Sequence, residues 1–533
     1  MITNNTSDAA KDDAALVSTA RPRAGIEGHS NKQIDRNEKH LRTDHLLSDL
    51  KGRTISSAVV TIIAQGAQFV LNLGSIMVLA RLLTPQDFGL FAMVTTVMGF
   101  LRVFKDAGLS TVTVQREGIT HAQVSNLFWI NVAMSGTISV ILIVGAPAIA
   151  WFYREPRLVG VTLVLSSTFL LSGLTVQHTA LLNRQMRFMA TAVVQVGSML
   201  IGTAVGIAMA WMNYSYWALV WGNFATVAAS VALTWIVIPW RPQAPLGGSG
   251  TRSLVGFGAN LTIGGLLYSF AKGADAILIG RFFGAASVGL YTRAGALLNR
   301  PMEQFLSPLH SVFVPALSRI QTEPERYRRT FLRVYESMAL VSCVCMGLLL
   351  ALARPLTLVV LGAKWEPAAA IFAGLTIAAF CMPLGTASTW LFISQGRGRD
   401  WLFASSLVSM ITVASFIAGL PFGPTGVAIA YSTINLLIGM PVIYYFAGRA
   451  GPVSAADLWS GIFRYIPLWI AVCGVTWLAN RFMGNSAPLA KLAVCAPLGL
   501  LTALVVVCAV PPIRRTALGL TDILRELVAR IKG

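Results

Sequence analysis

The sequence of 533 residues predicts an all-α polytopic membrane protein of about 14 transmembrane helices, arranged as two pseudo-symmetric six-helix lobes plus two C-terminal helices. Three observations lead there. The chain is 55% hydrophobic and only 12% charged, with a mean hydropathy of +0.67, whereas soluble chains carry roughly 25% charged residues. From Ile55 onward, apolar runs recur roughly every 25 to 40 residues, each near the ~20 that a helix needs to cross ~30 Å of hydrocarbon. The turn between the first two runs is echoed 200 residues later. Barrel strands would instead alternate apolar and polar residues over about ten positions, and these runs are continuous.

Residues 1–54 are polar, with nine Lys/Arg against eight Asp/Glu and no apolar signal-peptide core, so they are expected to form a disordered cytoplasmic tail. The expected spans are 57–80, 88–108, 124–151, 158–182, 189–212, 215–238, 254–280, 288–316, 332–361, 368–393, 401–420, 425–446, 460–480 and 489–511. Residues 55–240 then form the first lobe, 241–253 a cytoplasmic linker, 254–447 the second lobe and 448–512 the last two helices. In the tail, 513–533, the residues Leu520, Ile523, Leu524, Leu527, Val528 and Ile531 follow helical spacing beside Arg525, Arg530 and Lys532. That pattern suits an amphipathic helix on the inner membrane surface or a packed cytoplasmic cap.

With the N-terminus inside, the inner loops and tails carry 27 Lys/Arg, and the outer loops seven: Arg81, Arg154, Arg157, Arg281, Lys364, Arg481 and Lys491. This asymmetry places both termini in the cytoplasm and makes the helix number even. Most of the net charge of +19 is therefore topology, and no nucleic-acid partner is expected.

The repeat organises the first twelve spans. RLLTPQDFGLF at 81–91 is echoed by RFFGAASVGLY at 281–291, and WFYREP, ending at Pro156, by GAKWEP, ending at Pro367, an offset of 211. Two echoes in order, six spans apart, predict parallel bundles related by an axis along the membrane normal. Two such lobes about a central cleft favour a transporter working by alternating access.

Charge inside a span costs a few kcal/mol or more unless it faces a cavity or a partner, so such residues are functional candidates. Span 1 carries Gln65, Gln68, Asn72 and Ser75 on one helical face; adding 200 places Lys272 and Asp275 at the positions of Asn72 and Ser75. Span 2 ends with Arg102, Lys105 and Asp106, and span 8 carries Arg293, Arg300, Gln304 and Ser307 along one face with Glu303 adjacent. Cations outnumber acids, which suits a large anionic substrate. Neutralisation of Lys272 by Asp275, pairing of Arg102 with Asp106 and snorkelling of Lys105 are the structural alternatives. Arg81 and Arg281, in matching turns at the outer mouth, would gate the lobes or touch substrate.

His178 reads as a hydrogen-bonded core residue rather than a proton carrier, and the pairs Gly202/Gly206 and Gly280/Gly284 as close helix packing. The six cysteines lie in apolar runs without a CxxC pair and read as buried helix residues. No Walker sequence, nucleophile elbow or HExxH is present, and no cofactor or metal is expected. The outer loops, about four to ten residues long with Asp87, Glu155 and Glu366 as their acids, offer little to a membrane glycosyltransferase. A drug or organic-cation exporter is the main alternative; it would call for an acidic cleft.

The run LLTPQDFGLFAMVTTVMGFLRVFKDAGLSTVTVQREGITHAQVSNLFWINV (82–132) and the stretches ILIGRFFGAASVGLYTRAGALLNRP (277–301), VFVPALSRIQTEPERYRR (312–329) and LVVLGAKWEPA (358–368) resemble the polysaccharide flippases of the multidrug/oligosaccharidyl-lipid/polysaccharide exporter superfamily. Within it they are most similar to the colanic acid exporter branch. The resemblance implies a MATE-like two-lobed fold in the bacterial inner membrane. It also implies transport of an undecaprenyl-diphosphate-linked oligosaccharide to the periplasmic leaflet, beside a polysaccharide polymerase and a chain-length regulator. Cavity arginines and lysines contact the diphosphate in such flippases, and no family motif assigns that role to one residue here. The expectation is diphosphate binding by Arg293, Arg300, Arg102, Lys105 and Lys272, sugar contacts by Gln65, Gln68 and Asn72, ion coupling by Asp275, and gating by Arg81 and Arg281.

Overall fold

A computed structural model describes residues 50–106, 108–116, 118–245 and 251–519. The tail through residue 49, residues 246–250 of the linker and the amphipathic stretch 520–533 lie outside the described residues, as do the side chains of Asp106, Lys272, Gln304 and Ser307.

All described elements are helical. The first half comprises α1 (Leu50–Leu82), α2 (Pro85–Asp106), α3 (Leu109–Gln115), α4 (His121–Tyr153), α5 (Leu158–Gly173), α6 (Val176–Arg184), α7 (Phe188–Trp211) and α8 (Trp217–Val237). The second comprises α9 (Thr251–Arg319), α10 (Pro324–Ala351), α11 (Ala353–Val360), α12 (Ala368–Ser394), α13 (Gly398–Gly419), α14 (Gly423–Ile434) and α15 (Met440–Gly448). Then follow α16 (Ala455–Phe463), α17 (Ile466–Phe482) and α18 (Pro488–Ala509). Among the described residues, ten stretches are long and apolar enough to cross a membrane, or eleven when α5 and α6, bent by 41°, count as one. Three of the ten are broken: α9 at Gly284, where φ is 77°, 398–448 at Gly423, where φ is 75°, and 455–482 between α16 and α17. With α2, a further helix of 22 residues, the arrangement is compatible with about fourteen spans.

Several spans are less regular than their hydropathy suggests, and proline explains three of the breaks. Proline cannot donate to the carbonyl four residues earlier and clashes with it. Pro355 thus ends α10 at Ala351, whose carbonyl accepts from Asn480 Nδ2 at 3.1 Å; Pro467 ends α16 at Phe463; and Pro441 opposes Leu437, inside the π-helical turn Asn435–Gly439. Gly284 is a turn residue with open space around it, not the close-packing glycine expected, because its positive φ excludes a continuous helix there. Gly202 does pack tightly, against Gly222 and Thr226. The short α3 was not expected. Its C-terminal carbonyls are capped by Arg184, which donates to Thr113 at 3.0 Å and Arg116 at 2.6 Å.

The TPQD of the first echo is a helix start. Thr84 and Asp87 exchange hydrogen bonds around Pro85, and Ser215 Oγ also donates to Asp87 Oδ1, so this acid ties two outer turns together. A further echo lies at the C-terminal ends of α6 and α12. Met186 (φ 53°) and Gly396 (φ 68°) are left-handed, and the next residues, Arg187 and Arg397, donate to Leu182 at 3.0 Å and Phe392 at 2.8 Å in the same Schellman closure.

Contacts between the halves obey the repeat. A Cβ on Gly89 would land on the carbonyl oxygen of Ala285, and one on Gly289 would land on that of Pro85, each 200 residues on. Bare backbone crossing bare backbone brings α2 against the arm of α9 that follows Gly284. The indole of Trp365 donates to the Ala80 carbonyl at 2.8 Å, and Tyr153 covers Gly280 in the opposite sense. The largest buried apolar cluster joins both halves through Leu90, Met93, Tyr153, Ile279, Val288 and Phe372.

The last helices fasten to the second lobe. Arg328 pairs with Asp457 at 2.6 Å, Arg464 with Glu336 at 2.8 Å, and Tyr335 meets both Tyr444 and the Leu458 carbonyl. His178 is a core residue as expected, but rings surround it: Trp235, Trp240 and Phe128 have centroids 4.7, 5.0 and 5.9 Å away. Cys343, Cys381 and Cys495 are buried, whereas Cys508 is exposed on α18.

Candidate substrate-translocation cleft

Two adjoining chambers lie between the lobes. The first, about 300 Å³, is walled by Gln65, Gln68 and Asn72 of α1, Met199 of α7, and Arg300 and Glu303 of α9. The second, about 260 Å³, shares Asn72, Ile76 and Met199 and is lined further by Ser75, Thr203, Asn223, Thr226 and Arg293. The polar face read from α1 and the cationic face read from the second arm of α9 therefore meet across one cleft. Helical spacing aligns each stripe, and the Gly89/Gly289 crossing brings α2 and α9 together behind it.

Charge in this cleft is biased as the sequence suggested. Among the described residues lining the chambers, Arg293 and Arg300 oppose the single acid Glu303. Arg300 is near enough to repel both Arg293 and Arg102 electrostatically. Arg102 is exposed and Lys105 half-buried at the inner end of α2. Three guanidiniums gathered from two helices, with like-charge repulsion among them, form an arrangement that an anion would relax.

Asp275 lines neither chamber. It faces Tyr291 inside the second lobe, and its Oδ1 accepts from the Ala276 amide at 2.7 Å. Lys272 lies on the first arm of α9, and its side chain is among those outside the described set. Arg81 and Arg281 lie apart from the chambers. Arg81 Nη2 donates to the Val359 carbonyl at 3.1 Å, and Lys364 Nζ donates to the Arg81 carbonyl at 3.3 Å. The Arg281 guanidinium lies 5.8 Å from the Phe152 ring centroid. Each arginine thus reaches across to the opposite lobe, and together with Trp365 they hold these ends of the two lobes in contact.

The sequence reading missed Gln195, which accepts from Gln68 Nε2 at 2.9 Å, and missed Asn223 and Thr226 on α8. Their signal was available: an isolated amide facing Gly202, Gly206 and Gly222 marks a helix face on which backbone, not bulk, meets the cleft. It also missed Phe88, whose ring lies under Arg293 at 4.6 Å. No group of three or more His, Cys, Asp or Glu gathers among the described residues in a way that could hold a metal ion.

Comparison with known proteins agrees with this architecture. The chain is 28% identical over 409 residues to the teichuronic acid biosynthesis protein TuaB of Bacillus subtilis (strain 168), covering 76% of this chain and 83% of the relative. Among solved structures it resembles the lipid II flippase MurJ in an inward closed conformation, with a TM-score of 0.66 at 13% identity, covering 89% of this chain and all of that one. It also resembles an inward-facing multidrug resistance MATE family transporter of the MOP superfamily, with a TM-score of 0.57 at 14% identity over 75% of this chain and 99% of that one. A family profile described as polysaccharide biosynthesis protein matches residues 78–370, more than half of the length, so the chain belongs to that family, as a multi-pass membrane protein.

Proposed function

We propose that this protein carries undecaprenyl-diphosphate-linked oligosaccharide repeat units from the cytoplasmic to the periplasmic leaflet of the bacterial inner membrane, supplying surface polysaccharide assembly by alternating access. One observation carries the reading: Arg293 and Arg300 line a cleft whose walls also present Gln65, Gln68 and Asn72, with Arg102 near enough to Arg300 to add to its positive field. A diphosphate takes two or more bidentate guanidinium contacts, and sugar hydroxyls pair with amides. Lys105 and Lys272 would add charge along the entry side. An organic cation would meet repulsion in the same cleft, which disfavours drug export.

In this reading both termini are cytoplasmic, and the lobes meet at the linker 241–253. The outer contacts of Arg81, Lys364 and Trp365, with Arg281 on Phe152, close the periplasmic side while the substrate enters from within. A polysaccharide polymerase and a chain-length regulator would receive the product. Deletion of the gene should cause accumulation of a complete undecaprenyl-diphosphate oligosaccharide and loss of one polymer, read by mass spectrometry of extracted lipids. Unchanged lipid-linked sugars with altered drug sensitivity would reverse the choice, and an incomplete glycan would indicate a missing enzyme.

Asp275, set back from the cleft in the second lobe, is the proposed ion-coupling carboxylate. The Asp275→Asn variant should then lose the dependence of transport on external pH or sodium and turn over several-fold more slowly. Wild-type turnover with unchanged ion dependence would dismiss the role.

A further inference from the structure

Phe88 stands between the cleft arginine Arg293 and the indole of Trp365. It is the aromatic residue of the TPQDFG turn, 2% exposed, on the first lobe. Its ring centroid lies 4.6 Å from the Arg293 guanidinium carbon, at the cleft. The same ring meets Trp365 edge-on, with centroids 5.2 Å apart and planes at 74°. Trp365 is fully buried, belongs to the outer turn of the second lobe, and donates its indole N–H to Ala80 across the lobe boundary. One side chain therefore touches both the cation of the cleft and the indole that seals the outer end. The repeat does not require this: the residues 200 positions from Phe88 and Arg293 are Val288 and Met93, which can make no such pair.

We propose that Phe88 is a positioning residue for the transport step, coupling occupancy of Arg293 to release of the Trp365 seal. The inference rests on the proposed anionic substrate. In the empty cleft the guanidinium is held over the ring face by cation–π attraction, across the lobe boundary, and so favours the outer-closed arrangement. A diphosphate offers the same guanidinium a charge-assisted, bidentate alternative, which is the stronger interaction. Once Arg293 turns to the anion, Phe88 loses one of its two cross-lobe partners and is left with its edge-on contact to Trp365, so the seal is weakened. Substrate thereby opens the side toward which it must leave, because it binds the two states differently.

The test uses full-length protein in proteoliposomes, with native cysteines replaced and Ile76→Cys, beneath the seal and lining both chambers, as the reporter. An impermeant thiol reagent is added from the outside, and undecaprenyl diphosphate is the ligand. In the parent the ligand should raise the labelling rate. Progressive fluorination of the Phe88 ring, which preserves shape while draining the π face, should raise labelling in the absence of ligand by roughly tenfold in total, the scale of one partly desolvated cation–π contact. The ligand response should shrink in step, and Phe88→Leu should match the most fluorinated ring, whereas Phe88→Tyr should behave as the parent. A purely packing role would not follow fluorination. Equal labelling and equal ligand response across the series would overturn the proposal. Fluorination dependence without any response of the parent to undecaprenyl diphosphate would instead overturn the substrate reading and, with it, the coupling, while retaining the latch.

Discussion

Alanine in place of Arg300 or Arg293 is expected to abolish polymer export while leaving the protein in the membrane. Both guanidiniums line the cleft, and the acid beside them there is Glu303. Truncating one partner of a desolvated charge pair costs about 2–5 kcal/mol, a loss of substrate binding of roughly 30- to 4,000-fold. Arg300 is the cleaner of the two sites, because Arg293 also stacks on Phe88 and its loss would disturb the outer seal. Lysine at either position restores charge but not the two-pronged geometry, and should recover only part of the flux. The assay is surface polymer in a deletion strain complemented with each variant, with membrane content of the protein measured alongside. Full export by both alanine variants would remove the proposed diphosphate site.

A comparably large effect is expected at the lobe crossing. Valine at Gly89 or Gly289 places a Cβ on a backbone carbonyl oxygen of the other lobe, Ala285 or Pro85, and backbone cannot step aside as a flexible side-chain tip can. Overpacking costs typically 1–3 kcal/mol, which disfavours the outer-closed state by roughly 5- to 150-fold. Transport should fail because the cycle stalls open to the outside, with reporter labelling at Ile76→Cys raised from that side. Both variants should fail alike, since the two contacts are related by the repeat. Normal labelling and normal export would show that the outer crossing does not close during transport.

Much of the fold was legible because the repeat supplied an organisation that periodicity cannot. The sequence match of Gly89 to Gly289 revealed two related lobes but no contact between these turns; it is the structure that sets Gly89 on Ala285 and Gly289 on Pro85. The polar face of Gln65, Gln68 and Asn72 was legible for the simpler reason that amides at steps of three and four in an apolar helix have one common side. Internal breaks were not, since an apolar run looks continuous to hydropathy. Yet Pro355 and Pro467 each stand four residues after a helix end, and Pro441 follows Leu437 into a π turn. Pro147, Pro383 and Pro497 sit inside unbroken helices, so proline marks where a span can break without deciding that it does. Asp275 illustrates the other limit. Symmetry with Ser75 put it on the cleft face of its helix, whereas it turns to Tyr291 within its own lobe, a tertiary choice that spacing does not encode.

The central claim is that this cleft moves a lipid-linked anionic sugar across the bilayer, and leaflet location tests it most directly. Spheroplasts of the deletion strain carrying either the wild-type gene or the Arg300→Ala variant would be treated with an impermeant lectin or glycosidase specific for the accumulated oligosaccharide. Wild-type protein should bring the undecaprenyl-diphosphate sugar within reach of the reagent, and the variant should leave it protected until the membrane is opened. Equal exposure in the two strains, or exposure in the deletion strain itself, would contradict the account.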